Sequence, residues 1–182
     1  MRVALFREAV DAPAWRNLAK TATQVVVLWT LALWVVPVGI VRTLHALRIT
    51  WMDVPAFPAA GWVLFGAASG VGLWSAATMA RLGRGTPLPL DHARALVVAG
   101  PYAYVRNPMA ITGLAQGLGV SLVLGSIAVA LYVAAGGAIW NWVVRPLEER
   151  RLTEQFGESY RAYQRAVRCW RPRLTPYTPA AR

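Results

Sequence analysis

The chain has 182 residues, 57% of them hydrophobic and 15% charged, with nine tryptophans and a net charge of +11. Its length sets a single domain over residues 1–182 as the expectation, and its hydrophobicity excludes an ordinary soluble domain. The eighteen arginines and Lys20 lie in blocks between long uncharged runs. That is the pattern of membrane flanks and not of a nucleic-acid-binding face, so no nucleic-acid partner is expected.

Taken in chain order, the first twenty residues mix charges with short apolar pieces. They lack the unbroken apolar core of a signal peptide and are expected either along a membrane surface or loose. Residues 21–41 carry no charge, enough to span about 30 Å of hydrocarbon at about 1.5 Å per residue. Pro37 predicts a kink that a packed span tolerates. Residues 54–80 form a second uncharged run, with a helix predicted over 59–80. Residues 107–144 form a third, of 38 residues; one helix of that length would reach about 57 Å, so it must fold as a hairpin. Gly125-Ser126 is the predicted turn. Gly66 to Gly70 and Gly113 to Gly117 are small-xxx-small patterns, read as packing within one protomer. After residue 144, Leu152, Phe156, Tyr160, Tyr163 and Val167 recur at three- and four-residue steps among arginines and glutamates. This predicts an amphipathic segment broken at Gly157, which either lies on the membrane surface or folds over the second loop.

The expected fold is therefore an all-α polytopic membrane bundle with at least four spans, a C-terminal helical hairpin and an amphipathic tail. Basic residues number four before the first span, two in the first loop, four in the second, none at the hairpin tip and nine in the tail. This alternation predicts an integral membrane protein, in a bacterial inner membrane, with both termini cytoplasmic. Trp51 and Trp62 fall at the outer interface, and Trp140 and Trp142 at the inner one.

Two polar segments then share the inner face: residues 94–110, opening "RALVVAGPYAYVRNPMA", and residues 145–172, "RPLEERRLTEQFGESYRAYQRAVRCWRP". A tight hairpin brings Arg106 beside Glu148 and Glu149. The plain reading is a snorkelling arginine paired with a carboxylate. The density of prolines and tyrosines points instead to a stiffened segment that displays backbone groups to a small ligand. No phosphate loop, metal-ligand spacing or Ser–His–Asp set is present. His45 falls on the outer side, and His92 in the second loop. The lone Cys169 reads as an incidental thiol.

The pair of motifs, "LVVAGPYAYVRNPM" and, after a membrane hairpin, "EERRLTEQFGESYRAYQRAVRCWRPRL", resembles the isoprenylcysteine carboxyl methyltransferase and phospholipid methyltransferase superfamily. The resemblance covers residues 94–172. It implies an integral membrane methyltransferase that uses S-adenosyl-L-methionine from a cytoplasmic pocket and takes a lipophilic substrate from the bilayer, with membrane lipids as surroundings. Carried over by position, it implies cofactor contacts at Arg94, Ala95, Leu96, Val97, Gly100, Tyr102, Asn107, Pro108, Met109, Ala110 and Glu148. It implies a catalytic role for Arg106, with Glu148 and Glu149 beside it. Glu149 is the nearest proton acceptor for an amine substrate. The family's histidine is Arg94 here, and its second-motif tyrosine is Ala110. The arginine that holds a substrate carboxylate aligns at Val144, with Arg145 adjacent as the substrate contact. An amine, a thiol or another nucleophile is therefore as plausible an acceptor as a prenylcysteine carboxylate. The rival readings are a related membrane reductase and a non-catalytic membrane scaffold.

Overall fold

The computed structural model of the protein describes residues 7–8, 19, 22–23, 26–83, 91–92 and 95–179. Five helices build it. Helix α1, Val26–Ala46, and α2, Pro58–Leu82, are each long and apolar enough to cross a membrane, as is α4, Ile127–Phe156. Helix α3, Pro108–Leu124, is apolar but shorter; its 17 residues reach about 26 Å. Helix α5, Glu158–Ala166, completes the set. The strand-like features among the described residues are a two-residue parallel pairing of Arg7–Glu8 with Asp91–His92 and an isolated antiparallel bridge between Asp53 and Ser126.

The hairpin turns where expected. Gly125 is left-handed, with φ 60°, closing α3, and Ser126 is extended. The α1–α2 loop seals this end: Val54 N–H donates to Gly125 O, Phe57 N–H to Leu122 O and Ile127 N–H to Met52 O, each at 2.9 Å. The first loop and the hairpin tip thus share one end of the bundle, and residues 95–107 and the tail share the other.

The predicted spans need two adjustments. The first helix extends to Ala46, so Arg42 lies on it, exposed. The fourth does not stop at Val144 but runs unbroken to Phe156. Its apolar part crosses, and twelve more residues from Arg145 project about 18 Å beyond. Pro37 does not end α1. A single wide turn, Leu31–Val35, closed by Val36 N–H on Leu31 O, precedes it, and within that turn Ala32 O accepts from Tyr132 OH at 3.1 Å. Pro146 is handled the same way: the turn Trp140–Val144 ends with Arg145 N–H on Trp140 O.

Helix α3 packs most closely along α2. Of the predicted packing glycines, Gly117 does face a neighbour, since a Cβ there would lie 2.5 Å from Val133 Cγ2 on α4, but the glycines that bring α3 against α2 are others. A Cβ on Gly66, Gly70 or Gly113 would meet nothing within 4 Å, whereas one on Gly61 would lie 2.5 Å from Gly119 O. At Gly119 a Cβ would lie 2.8 Å from Gly61 O. The spacing pattern marked glycines, but only packing shows which of them face a neighbour. Leu33, Val120 and Val129 form one buried cluster, backed by Trp29, Trp34, Val41, Phe65 and Leu124. Within the bundle, Gln116 is fully buried and donates to Ser69 Oγ at 2.9 Å, tying α3 to α2. The second cluster, Tyr160, Tyr163 and Val167 with Leu96, Val98, Leu152, Phe156 and Tyr177, holds the tail over the second loop. The tail's apolar stripe therefore faces protein, which decides between the two readings of that segment.

Candidate functional site

Residues 95–107 reach the site as a stiffened loop on the end of α2. Gly100 has φ +58°, and a Cβ there would lie 3.0 Å from Thr78 Oγ1 and 3.2 Å from Thr78 Cγ2, so both backbone and space call for glycine. Pro101 starts a single tight turn, Gly100–Ala103, that buries Pro101, Tyr102 and Ala103. Asn107 then caps α3: its Oδ1 accepts from Ala110 N–H at 3.0 Å, and Pro108 takes the first helical position, where no N–H is needed.

The tail straps this loop down. Tyr163 OH donates to Tyr102 O at 2.6 Å. Tyr177 N–H donates to Ala103 O at 2.8 Å, Arg173 N–H to Tyr104 O at 2.9 Å, and Arg106 N–H to Arg168 O at 3.0 Å. Carbonyls that a proline-containing turn leaves unpaired thereby find donors.

At the centre lies a charged network. Arg106 Nη1 donates to Glu149 Oε1 at 2.8 Å and to Tyr160 OH at 3.4 Å. Gln164 Nε2 donates to Glu149 Oε2 at 3.0 Å. Arg145 Nε stands 3.7 Å from Glu149 Oε1. Glu149 thus has both oxygens engaged, while the side chains of Arg106 and Glu149 are only 13% and 21% exposed. Its neighbour Glu148 makes no hydrogen bond or ion pair to a described residue. The predicted meeting of Arg106 with the glutamate pair is present, and Glu149 makes the direct contact.

Electrostatics separates the two glutamates further. Glu148 lies beyond the apolar part of α4 and keeps solvent contact. Protein crowded around it still desolvates the charged form, Glu149 adds like-charge repulsion, and Arg106 only partly offsets both, so its pKa is pushed up to about 7. Burial and then Glu149 push the Tyr160 phenol up to about 12, leaving it a neutral hydrogen-bonding group. Tyr102 is raised by burial and then by Glu148, which places that carboxylate near its ring. Arg106 loses some charge preference to burial but regains more from Glu149 and Tyr160, and it stays a cation. Its Nε is buried with no hydrogen-bond partner among the described residues, as is that of Arg145, which meets Glu149 only as an ion pair. Cys169 is buried, and burial raises its thiol pKa despite Arg106 and Arg145 nearby.

Of the other expected contacts, Arg94 lies outside the described residues. Ala95 and Leu96 are partly buried and Val97 is buried, in a run without regular secondary structure. No backbone N–H of Leu96, Val97 or Val98 donates to another described residue. Met109 and Ala110 open α3 directly beyond Arg106. For His92 only the backbone is described, in the pairing with Glu8. Sequence reasoning marked Tyr160 and Tyr163 as parts of an apolar stripe but missed their hydrogen bonds, and it missed Gln164 altogether. Gln164 sits one helical turn after Tyr160 on α5 and carries no motif signal; only the fold of α5 across α4 brings it to Glu149. Among the described residues, no group of three or more His, Cys, Asp or Glu side chains could hold a metal.

Arg106, Arg145, Glu148 and Glu149 all fall within residues 57–159, which match the family profile described as PEMT, phospholipid methyltransferase. Comparison with curated proteins finds no match. The profile spans more than half of the 182 residues, and it covers the hairpin, the first polar segment and the second as far as residue 159. With apolar helices long enough to cross a bilayer, the chain is an integral membrane protein that belongs to the phospholipid methyltransferase family of membrane methyltransferases.

Proposed function

We propose that the protein transfers a methyl group from S-adenosyl-L-methionine to a nucleophile on an amphiphile that reaches the site from the bilayer. One observation carries this reading. An arginine held by one glutamate, with a second glutamate beside it that pairs with no described residue, stands where the two polar segments meet within the family match.

The residues present fit that methyl donor. Glu148, open to solvent and without a hydrogen-bond or ion-pair partner among the described residues, suits a cationic group. The buried, unpartnered Nε of Arg106 suits an anionic one. The N–H groups of Leu96, Val97 and Val98, which donate to no described residue, offer donors to a flat heterocycle. Arg94, Ala95, Gly100, Tyr102, Asn107, Pro108, Met109 and Ala110 would line the same wall. When bound, S-adenosyl-L-methionine supplies a methyl carbon already activated by its sulfonium, so the protein has mainly to position the acceptor.

Glu149 positions Arg106, because both its oxygens are already engaged. Glu148 is the better proton acceptor for an amine, having no hydrogen-bond partner among the described residues and a pKa near 7. Arg145, 30% exposed at the end of the apolar part of α4, would meet an acceptor's polar group first. The arginine blocks support both termini on the cytoplasmic side, where the donor is made available.

Calorimetry on the purified protein in detergent tests the reading. S-adenosyl-L-methionine or its demethylated product should bind, and Glu148→Ala should weaken that binding more than Arg106→Ala. Folded protein that binds neither compound would leave a reductase or a scaffold as the better account.

A further inference from the structure

A shallow apolar groove of about 340 Å³ runs between α3 and α4. Leu114 and Leu118 line one side, Val133, Ala134 and Gly137 the other, and Trp170 joins them. Leu118 and Ala134 are exposed, so the groove opens to the hydrocarbon around the bundle. Trp170 is the one lining residue from outside these two helices, and it lies beyond the family-matched residues.

Trp170 is fixed on three sides. Its Nε1 donates to Asn141 Oδ1 at 2.9 Å. Its ring meets Trp140 edge-on, with centroids 5.3 Å apart. Val167 and Cys169 just before it are buried, and Arg168 O accepts from Arg106 N–H. On α4, Gly137, Asn141, Arg145 and Glu149 follow one another at four-residue steps. The groove therefore ends at Trp170 and Asn141, and the charged network begins one turn further on. Asn141 and Glu149 are separated by about 12 Å along the helix.

We infer that Trp170 is the stop of an apolar-chain groove: it sets how far the chain of a methyl acceptor advances toward Arg106 and Glu149, and so which chain lengths bring the nucleophile into place. This rests on the methyltransferase reading above. The occupant is a single apolar chain. The only polar group in the lining, the indole N–H, is already bonded to Asn141. The volume lies at the low end of the range of about 300–1,000 Å³ for ligand sites. Chain in the groove and polar head across the last turns of α4 is the arrangement that an amphiphile from the bilayer would adopt.

Photolabelling tests this without methyl transfer. The probe is a lysophospholipid with a diazirine at its chain terminus, added to the full chain in detergent, with adducts mapped by peptide mass spectrometry. Adducts should concentrate on residues 114–118, 133–137 and Trp170. Ala134→Phe, which fills the groove from its open side, should cut them several-fold. Trp170→Ala should move the label inward to residues 141–145, whereas Trp170→Phe, which keeps a ring in place, should not. Equal labelling of Leu31, Val63 and Leu131, which face outward elsewhere on the bundle, with no response to Ala134→Phe, would overturn the groove. An unchanged map in a folded Trp170→Ala variant would overturn the stop. If the expected map appears but no acceptor is ever methylated, the groove stands and the methyltransferase reading of the site falls.

Discussion

Adjacent glutamates with opposite roles give the sharpest prediction. Glu149→Ala removes the carboxylate that engages Arg106 at 2.8 Å and Gln164 at 3.0 Å. It leaves the Arg106 guanidinium, 13% exposed, without an anionic hydrogen-bond partner. Breaking a buried pair by deleting one partner costs about 3–5 kcal/mol. Residual exposure of both side chains places this case at the lower end, about 3 kcal/mol. For a domain of this size that corresponds to a fall of about 6–12 °C in melting temperature. Glu148→Ala removes a side chain with no hydrogen-bond or ion-pair partner among the described residues and relieves like-charge repulsion with Glu149 that Arg106 only partly offsets. It should leave the melt unchanged or slightly higher while methyl transfer falls by about 100-fold or more, as for a lost positioning contact. The assay is thermal unfolding in detergent, followed by intrinsic tryptophan fluorescence, beside methyl transfer from radiolabelled donor. If Glu149→Ala melts like the parent, or if Glu148→Ala unfolds, the division of labour drawn here is wrong.

The raised pKa of Glu148 predicts a pH profile. The carboxyl is protonated below about 7 and becomes an anion above it, so kcat/KM should rise with pH through that region, and Glu148→Gln should remove the rising limb. Gly119→Ala should separate α2 from α3, because its Cβ would lie 2.8 Å from Gly61 O, and should cost about 1–3 kcal/mol in unfolding experiments. Gly66→Ala, with nothing within 4 Å, should be neutral or slightly stabilising in the same measurement. Tyr163→Phe leaves Tyr102 O without its donor and should cost about 1 kcal/mol. For topology, cysteines placed at Trp51, 74% exposed, and at Arg171 should be labelled from opposite sides of the membrane, with little background from buried Cys169; labelling of both from one side would refute the two-ended bundle.

Much of the frame was legible in the chain itself, because bilayer thickness converts run length directly into spans. A 38-residue uncharged run had to fold back on itself, and Gly125 was the residue able to turn it. From that hairpin alone Arg106 had to meet the glutamates after the fourth span. Which glutamate it meets was not legible, because Glu148 and Glu149 are adjacent in sequence. A helical turn points them in different directions, and the wide turn at Trp140–Val144 sets that direction. Gly66, Gly70 and Gly113 looked like packing residues, yet Gly61 and Gly119 bear the contact, because a spacing pattern does not say which face of a helix meets a neighbour. Gln164 and Trp170 carried no signal at all. They reach Glu149 and the α3–α4 groove only because the tail folds back across the second loop, and that fold is decided by burial of Tyr160, Tyr163 and Val167 far along the chain from the residues they cover.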